Sequence, residues 1–116
     1  MGLILASSSP RRKRILEDLG YNFECISPNI DESNSSNLKP IDYVVDVSER
    51  KGSHVWNNNQ GSHVISGDTI IDFNGKIIGK PSSNDAAFKI IQKLSNHTHS
   101  VISGLSLFYD NKVITI

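Results

Sequence analysis

At 116 residues the chain has the length of one domain, and its 12 lysines and arginines balance its 12 aspartates and glutamates. Its basic residues are dispersed apart from positions 11–14 and no aromatics interleave with them, which argues against a nucleic acid as partner. The single cysteine, Cys25, excludes an internal disulfide, no cysteine spacing suits a metal, and no apolar run approaches membrane-spanning length, so a cytoplasmic globular protein is expected.

Leu3–Ala6 reads as a short buried strand and Pro10–Leu19 as a helix closed by Gly20. Three serines lie between them. Pro10 suits the first helical position because its fixed φ is helical and its missing N–H is not needed there, which makes Ser9 the N-cap. Arg11-Arg12-Lys13-Arg14 then adds cations where a helix start already carries about half a positive charge, an arrangement that asks for a phosphate. An ordinary capped, basic helix start would show the same residues. Lys13 with Glu17 and Arg14 with Asp18 are spaced to pair on a solvated face. Arg12 instead heads the apolar stripe of Ile15, Leu16 and Leu19 and should point into a cleft beside the strand end. Phe23–Ile26 reads as a second strand whose apolar flanks suit a buried Cys25 thiol.

A polar loop holding Asp31 and Glu32 follows, and Pro40 opens a helix over roughly Ile41–Trp56, with Tyr43, Val44, Val47 and Val55 near helical spacing. After the loop Asn57–Ser62, His63–Ile65 and Thr69–Phe73 read as strand segments flanking a break at Ser66-Gly67-Asp68. Asn74-Gly75 is a hairpin turn that returns through Lys76–Ile78. Ser83 or Asn84 caps a helix through Leu94, Thr98–Tyr109 is a long strand, Asp110-Asn111 a turn, and Lys112–Ile116 opens another strand. This alternation is the mark of an α/β protein, here a mixed twisted sheet flanked by helices with a cleft. A last strand without a neighbour leaves an exposed apolar edge, so residues 1–116 are expected to be the N-terminal portion of a single larger domain. A homodimer that completes the sheet is the alternative.

Polar residues with chemical potential fall at element ends, where ligands bind in open α/β sheets. They are the helix start at Ser9–Arg12, Glu32, Lys51, Asp68, and Lys80 in Gly79-Lys-Pro81. Asp68 is flanked by Val64-Ile65 and Ile70-Ile71, and a carboxylate there is costly unless it meets a cation or donors. A plain turn aspartate after Gly67 is the other reading. Phosphate hydrolysis needs cations for the transferred oxygens, hard oxygen ligands for a divalent metal and a carboxylate for water, and these positions supply that inventory. His97 and His99 share one face of a strand, but lacking a third ligand nearby they are read as exposed or hydrogen-bonded, and Trp56 as a helix-end packing residue.

At these residues the chain resembles the Maf family of nucleoside triphosphate pyrophosphatases, within the inosine triphosphatase-like group. The opening LILASSSPRRKRIL resembles the family's strand-to-helix signature, and IDE at Ile30–Glu32 its first acidic motif. Lys51 falls on the lysine of its second helix, SGDTII at Ser66–Ile71 on its aspartate motif, GKP at Gly79–Pro81 matches outright, and LSNHTHSVISG at Leu94–Gly104 resembles a further run. Ser66-Gly67, Asn96, Ser48 and Gly52 depart from the pattern, and family members are considerably longer. The resemblance implies the family fold, Asp68 as catalytic carboxylate, and Glu32 acting with it and helping to hold Mg²⁺ or Mn²⁺. Ser9, Arg11, Arg12, Lys51 and Lys80 would bind the triphosphate. It further implies hydrolysis of the α–β phosphate bond. Arg11, Arg12 and Thr69 are similar to the branch acting on dTTP, UTP and modified pyrimidine nucleotides. A 7-methyl-GTP pyrophosphatase and a catalytically inactive nucleotide-binding fragment are the alternatives.

Overall fold

Strands and helices alternate along the chain as β1 (Leu3–Ala6), α1 (Pro10–Asp18), β2 (Glu24–Cys25), α2 (Pro40–Asn57), β3 (His63–Phe73), β4 (Lys76–Ile78), α3 (Asn84–Leu94), β5 (Ser100–Tyr109) and β6 (Lys112–Thr115). The structure is a computed structural model that describes residues 2–34, 36–78, 83–95, 98–110 and 112–116. The strands form one mixed sheet in the order β2-β1-β3-β5-β6, with β4 beside β3. β1 runs parallel to both β2 and β3, while β5 pairs antiparallel with β3 and with β6. The α1 crossover leads from β1 out to β2 and the α2 crossover leads back across to β3, so right-handed connections put the two helices on opposite faces.

The core lies under α2. Val44, Val47 and Val55 are buried, and Val55 packs with Ile4, Ala6, Val64 and Phe108. Valine is a weak helix former, yet here the apolar stripe meets the sheet and tertiary packing decides. Two glycines let the layers touch. A Cβ on Gly52 would lie 2.0 Å from Phe108 Cε1 and 2.5 Å from Ser66 Oγ, and one on Gly104 would lie 3.2 Å from Val44 Cγ1. Small hydroxyls finish the contact: Ser66 Oγ donates to Ser48 O at 2.6 Å, and Ser48 and Ser106 hydroxyls lie 2.8 Å apart. Trp56 packs on Phe108 with ring centroids 5.3 Å apart, as a helix-end packing residue should.

Several local expectations hold. Ser9 caps α1 by accepting from Arg12 N, Pro10 stands in its first turn, and Ser83 caps α3 by accepting from Ala86 N. The Asn74-Gly75 turn has φ of 52° and 82°, the left-handed pair a tight hairpin needs. Others do not. β3 runs unbroken through Ser66-Gly67-Asp68, because its ladder with β5 continues from Val64↔Phe108 to Asp72↔Ser100. β2 shrinks to Glu24–Cys25, and Cys25 is exposed rather than buried, since this edge strand has neighbours on one side only. α1 buries none of its residues, and its Ile15 and the capping Leu19 stay exposed. Neither Lys13–Glu17 nor Arg14–Asp18 is among the ion pairs of the described residues. Gly79–Pro81 and His97 lie outside the described residues.

Candidate active site

The partners of β3 leave a gap that locates the site. β1 pairs with β3 only as far as Ala6↔Ser66, and β4 begins its pairing at Ile71↔Ile78. Both lie on the edge of β3 opposite β5, so the stretch between them has no strand partner on that side among the described residues. Ser7–Ser9 and the start of α1 come off the end of β1 into this opening. A cleft of about 610 Å³ fills it, lined by Ser7, Ser9, Arg11, Arg12, Glu32, Tyr43, Lys51, Asp68 and Thr69 among others.

Alternation along β3 sends Ser66 and Asp68 toward α2 and Gly67 and Thr69 toward α1. On the α2 side, Lys51 Nζ lies 3.2 Å from Asp68 Oδ1 and 3.4 Å from Glu32 Oε1. The other oxygen of Asp68, Oδ2, is buried without a hydrogen-bond partner. Burial pushes the Asp68 carboxyl above its ordinary value; the Lys51 charge and its hydrogen bond pull it back, Glu32 raises it further and Arg12 lowers it. The net is upward, so desolvation wins.

On the α1 side, Arg12 Nη2 donates to Thr69 Oγ1 at 3.0 Å and Nη1 to Ser7 Oγ at 3.4 Å. Thr69 Oγ1 is in turn 2.9 Å from Ser103 Oγ. A Cβ on Gly67 would crowd the Gly104 carbonyl oxygen at 3.1 Å, with Arg12 Nε at an ordinary contact distance of 3.5 Å. Burial lowers the Arg12 pKa, with the Asp68 charge opposing it. Arg12 remains cationic all the same, because a guanidinium is effectively never deprotonated. Polar bonds rather than apolar burial therefore hold α1 against the sheet.

Of the residues singled out by sequence, Ser9, Arg11, Arg12, Glu32, Lys51 and Asp68 converge on this cleft, and Lys80 lies outside the described residues. The sequence reading missed Ser7, Tyr43 and the bonding of Thr69. Tyr43 carried a signal in its position eight residues before Lys51, along the same helical stripe through Val47. Nothing marked Ser7 apart from its serine neighbours. Among the described residues no group of three or more His, Cys, Asp or Glu could hold a metal, so Glu32 and Asp68 stand as a pair.

Fold and site together define an α/β protein with a cationic, two-carboxylate cleft at the open edge of its central strand. A family model described as Maf-like protein matches residues 2–115, and the chain belongs to the Maf family. A dTTP/UTP pyrophosphatase of Fusobacterium nucleatum is 39% identical over 102 residues, covering 87% of this chain and 52% of the relative. One of Bacillus cereus is 37% identical over 113 residues, covering 97% of this chain and 59% of the relative. The chain thus spans between half and three-fifths of these relatives' lengths. Two solved structures share the fold. The Staphylococcus aureus Ham1 protein superposes with a TM-score of 0.57 at 17% identity, covering 97% of this chain and 66% of that one. A Mycobacterium abscessus nucleoside-triphosphatase, dITP/XTP pyrophosphatase, superposes with a TM-score of 0.53 at 13% identity, covering 100% and 70%.

Proposed function

We propose that this chain carries the phosphate-binding and catalytic half-site of a nucleoside triphosphate pyrophosphatase acting on dTTP and UTP or modified pyrimidine nucleotides. One observation carries the reading: Asp68, whose Oδ2 is buried and unpartnered, shares a single cleft with Arg11, Arg12, Glu32 and Lys51. The names of the relatives support the substrate class. The 116 residues would act as the N-terminal portion of one domain, and a cytoplasmic site of action is part of the same reading.

Glu32 and Asp68 suit a hard divalent cation, since Mg²⁺ is usually held by one or two carboxylates with substrate phosphates and water completing the shell. Such an ion, Mg²⁺ or Mn²⁺, would neutralise charge building on the phosphate oxygens. The α1 start, with Ser9, Arg11 and Arg12, binds the triphosphate by guanidinium donors and the positive end of the helix. Lys51 bonds Asp68 Oδ1 and so orients the carboxylate that takes the proton of an attacking water. Water oxygen bonds to the α phosphorus, the bond from that phosphorus to the α–β bridging oxygen breaks, and pyrophosphate leaves with the electron pair. The proton goes to Asp68, whose raised pKa makes it a better base than an exposed carboxylate.

The test is pyrophosphate release from dTTP and UTP with Mg²⁺ or Mn²⁺, with 7-methyl-GTP as the competing substrate. Asp68→Asn is expected to lower the rate by at least about 100-fold. Release that is undiminished in Asp68→Asn, or a preference for 7-methyl-GTP, would refute the assignment of base or of substrate respectively. Binding of UTP without turnover would leave the inactive nucleotide-binding reading in its place.

A further inference from the structure

Glu32 stands in a loop without regular structure, with its side chain 51% exposed, yet its carboxylate sits within 3.4 Å of Lys51 Nζ. Two donors on α2 account for that. Tyr43 Oη donates to the backbone oxygen of Glu32 at 2.6 Å, and Arg50 Nη1 donates to the backbone oxygen of the preceding residue, Asp31. Positions 43 and 50 are two helical turns apart and about 20° from alignment, so both project from one side of α2 toward the loop. Arg50 is itself fixed by Asp46 one turn earlier, Nε to Oδ2 at 2.8 Å.

Both bonds go to main-chain oxygens and leave the Glu32 carboxylate to face Lys51 and the cleft. The loop stiffens itself at and beyond the anchor points. Asp31 accepts from Ser33 N at 2.9 Å and Ser33 Oγ at 3.1 Å, and Asn34 brackets Leu38 with bonds of 2.8 and 2.7 Å. Burial, with the charges of Asp68 and Glu32 adding to it, raises the Tyr43 pKa, so its hydroxyl remains a donor.

We propose that Tyr43 and Arg50 are positioning residues that clamp the acidic loop to α2, holding Glu32 opposite Asp68 so that the two carboxylates take a divalent cation together. The inference rests on the metal-binding reading above and adds residues to which that reading assigns no part. Tyr43→Phe removes one hydroxyl, and Arg50→Lys keeps the charge while losing the guanidinium fork. The probe is Mn²⁺ alone, its affinity measured by electron paramagnetic resonance of the free ion, with amide exchange followed over residues 30–34. Val55→Ala, in the core at the far end of α2, serves as a destabilised control away from the loop.

Each clamp variant should bind Mn²⁺ roughly three- to ten-fold more weakly, the scale of one lost hydrogen bond, with faster exchange at residues 31–33. Val55→Ala should lower the melting temperature and leave Mn²⁺ affinity unchanged. Unaltered affinity in both clamp variants, with binding abolished in Asp68→Asn, overturns the clamp and spares the metal site. Equal loss in Val55→Ala overturns it too, because positioning would then be indistinguishable from stability. Wild-type protein that takes up no Mn²⁺ removes both.

Discussion

Asp68 is asked to be both buried and charged, and the two demands pull in opposite directions. Because burial lifts its pKa above the ordinary 3.8, the folded chain holds the Asp68 proton more tightly than the unfolded chain does. That stabilisation is present in full below the unfolded value and is lost as pH rises through the raised folded value. Asp68→Asn is neutral throughout. In metal-free buffer the melting temperature of Asp68→Asn relative to wild type should therefore climb as pH rises from the ordinary 3.8 through the raised folded value, then level off. A flat difference across that range would show that Lys51 compensates fully for burial. Arg12 poses the complementary case, since its guanidinium bonds at the same time to Ser7 and Thr69 and faces the cleft. Arg12→Lys keeps the charge and loses the fork. UTP binding, measured by calorimetry without divalent metal, should weaken by roughly ten-fold or more, as expected for a charge-assisted bond of about 1.5–3 kcal/mol. An unchanged affinity would mean that the cation near the phosphates is Arg11.

Elements place these side chains only if α2 lies close on the sheet, and Gly52 is the residue that permits it. A methyl group there would sit within 2.0 Å of Phe108, which no rotamer change of a ring buried to 2% exposure can absorb. Gly52→Ala should force helix and sheet apart at a cost of about 1–3 kcal/mol despite the better helix propensity of alanine. Since Lys51 is the adjoining residue, pyrophosphate release should fall along with the melting temperature; a variant as stable as wild type would disprove the close contact. Little of this was legible in the sequence. Ser48 and Gly52 registered only as departures from a family pattern, whereas in space they meet Ser66, Ser106 and Phe108 across a layer boundary. Local chemistry was readable where one segment determines its own shape, as in the Ser9 cap and the Asn74-Gly75 turn. The supposed break at Ser66-Gly67-Asp68 failed for the opposite reason: a turn-forming triplet was overruled by β5, more than thirty residues away in sequence.

The molecule as a whole is more open than its length requires. Its radius of gyration is 15.3 Å, against about 13 Å for a typical globular domain of this size. The excess has visible sources: α1 and α3 bury no residue, and Val101, Leu105 and Ile114 stay 64%, 47% and 47% exposed on β5 and β6. Convergence of the charged residues could be suspected from their motifs but not established, because it depends on the gap between β1 and β4 along β3, which no local pattern announces. The cleft in that gap draws its walls from the β1–α1 junction, the acidic loop, α2 and β3, so a ligand in it bridges parts that the core alone joins weakly. Anything that binds the folded chain selectively stabilises it by about 2.7 kcal/mol at 100 times its dissociation constant. For a domain of this size that raises the melting temperature by on the order of 10 °C. UTP should produce such a shift in wild type and a much smaller one in Arg12→Ala, followed by differential scanning fluorimetry over a concentration series. If UTP raised both proteins equally, its contacts would lie outside this cleft, and the phosphate site assigned to the start of α1 would have to be abandoned.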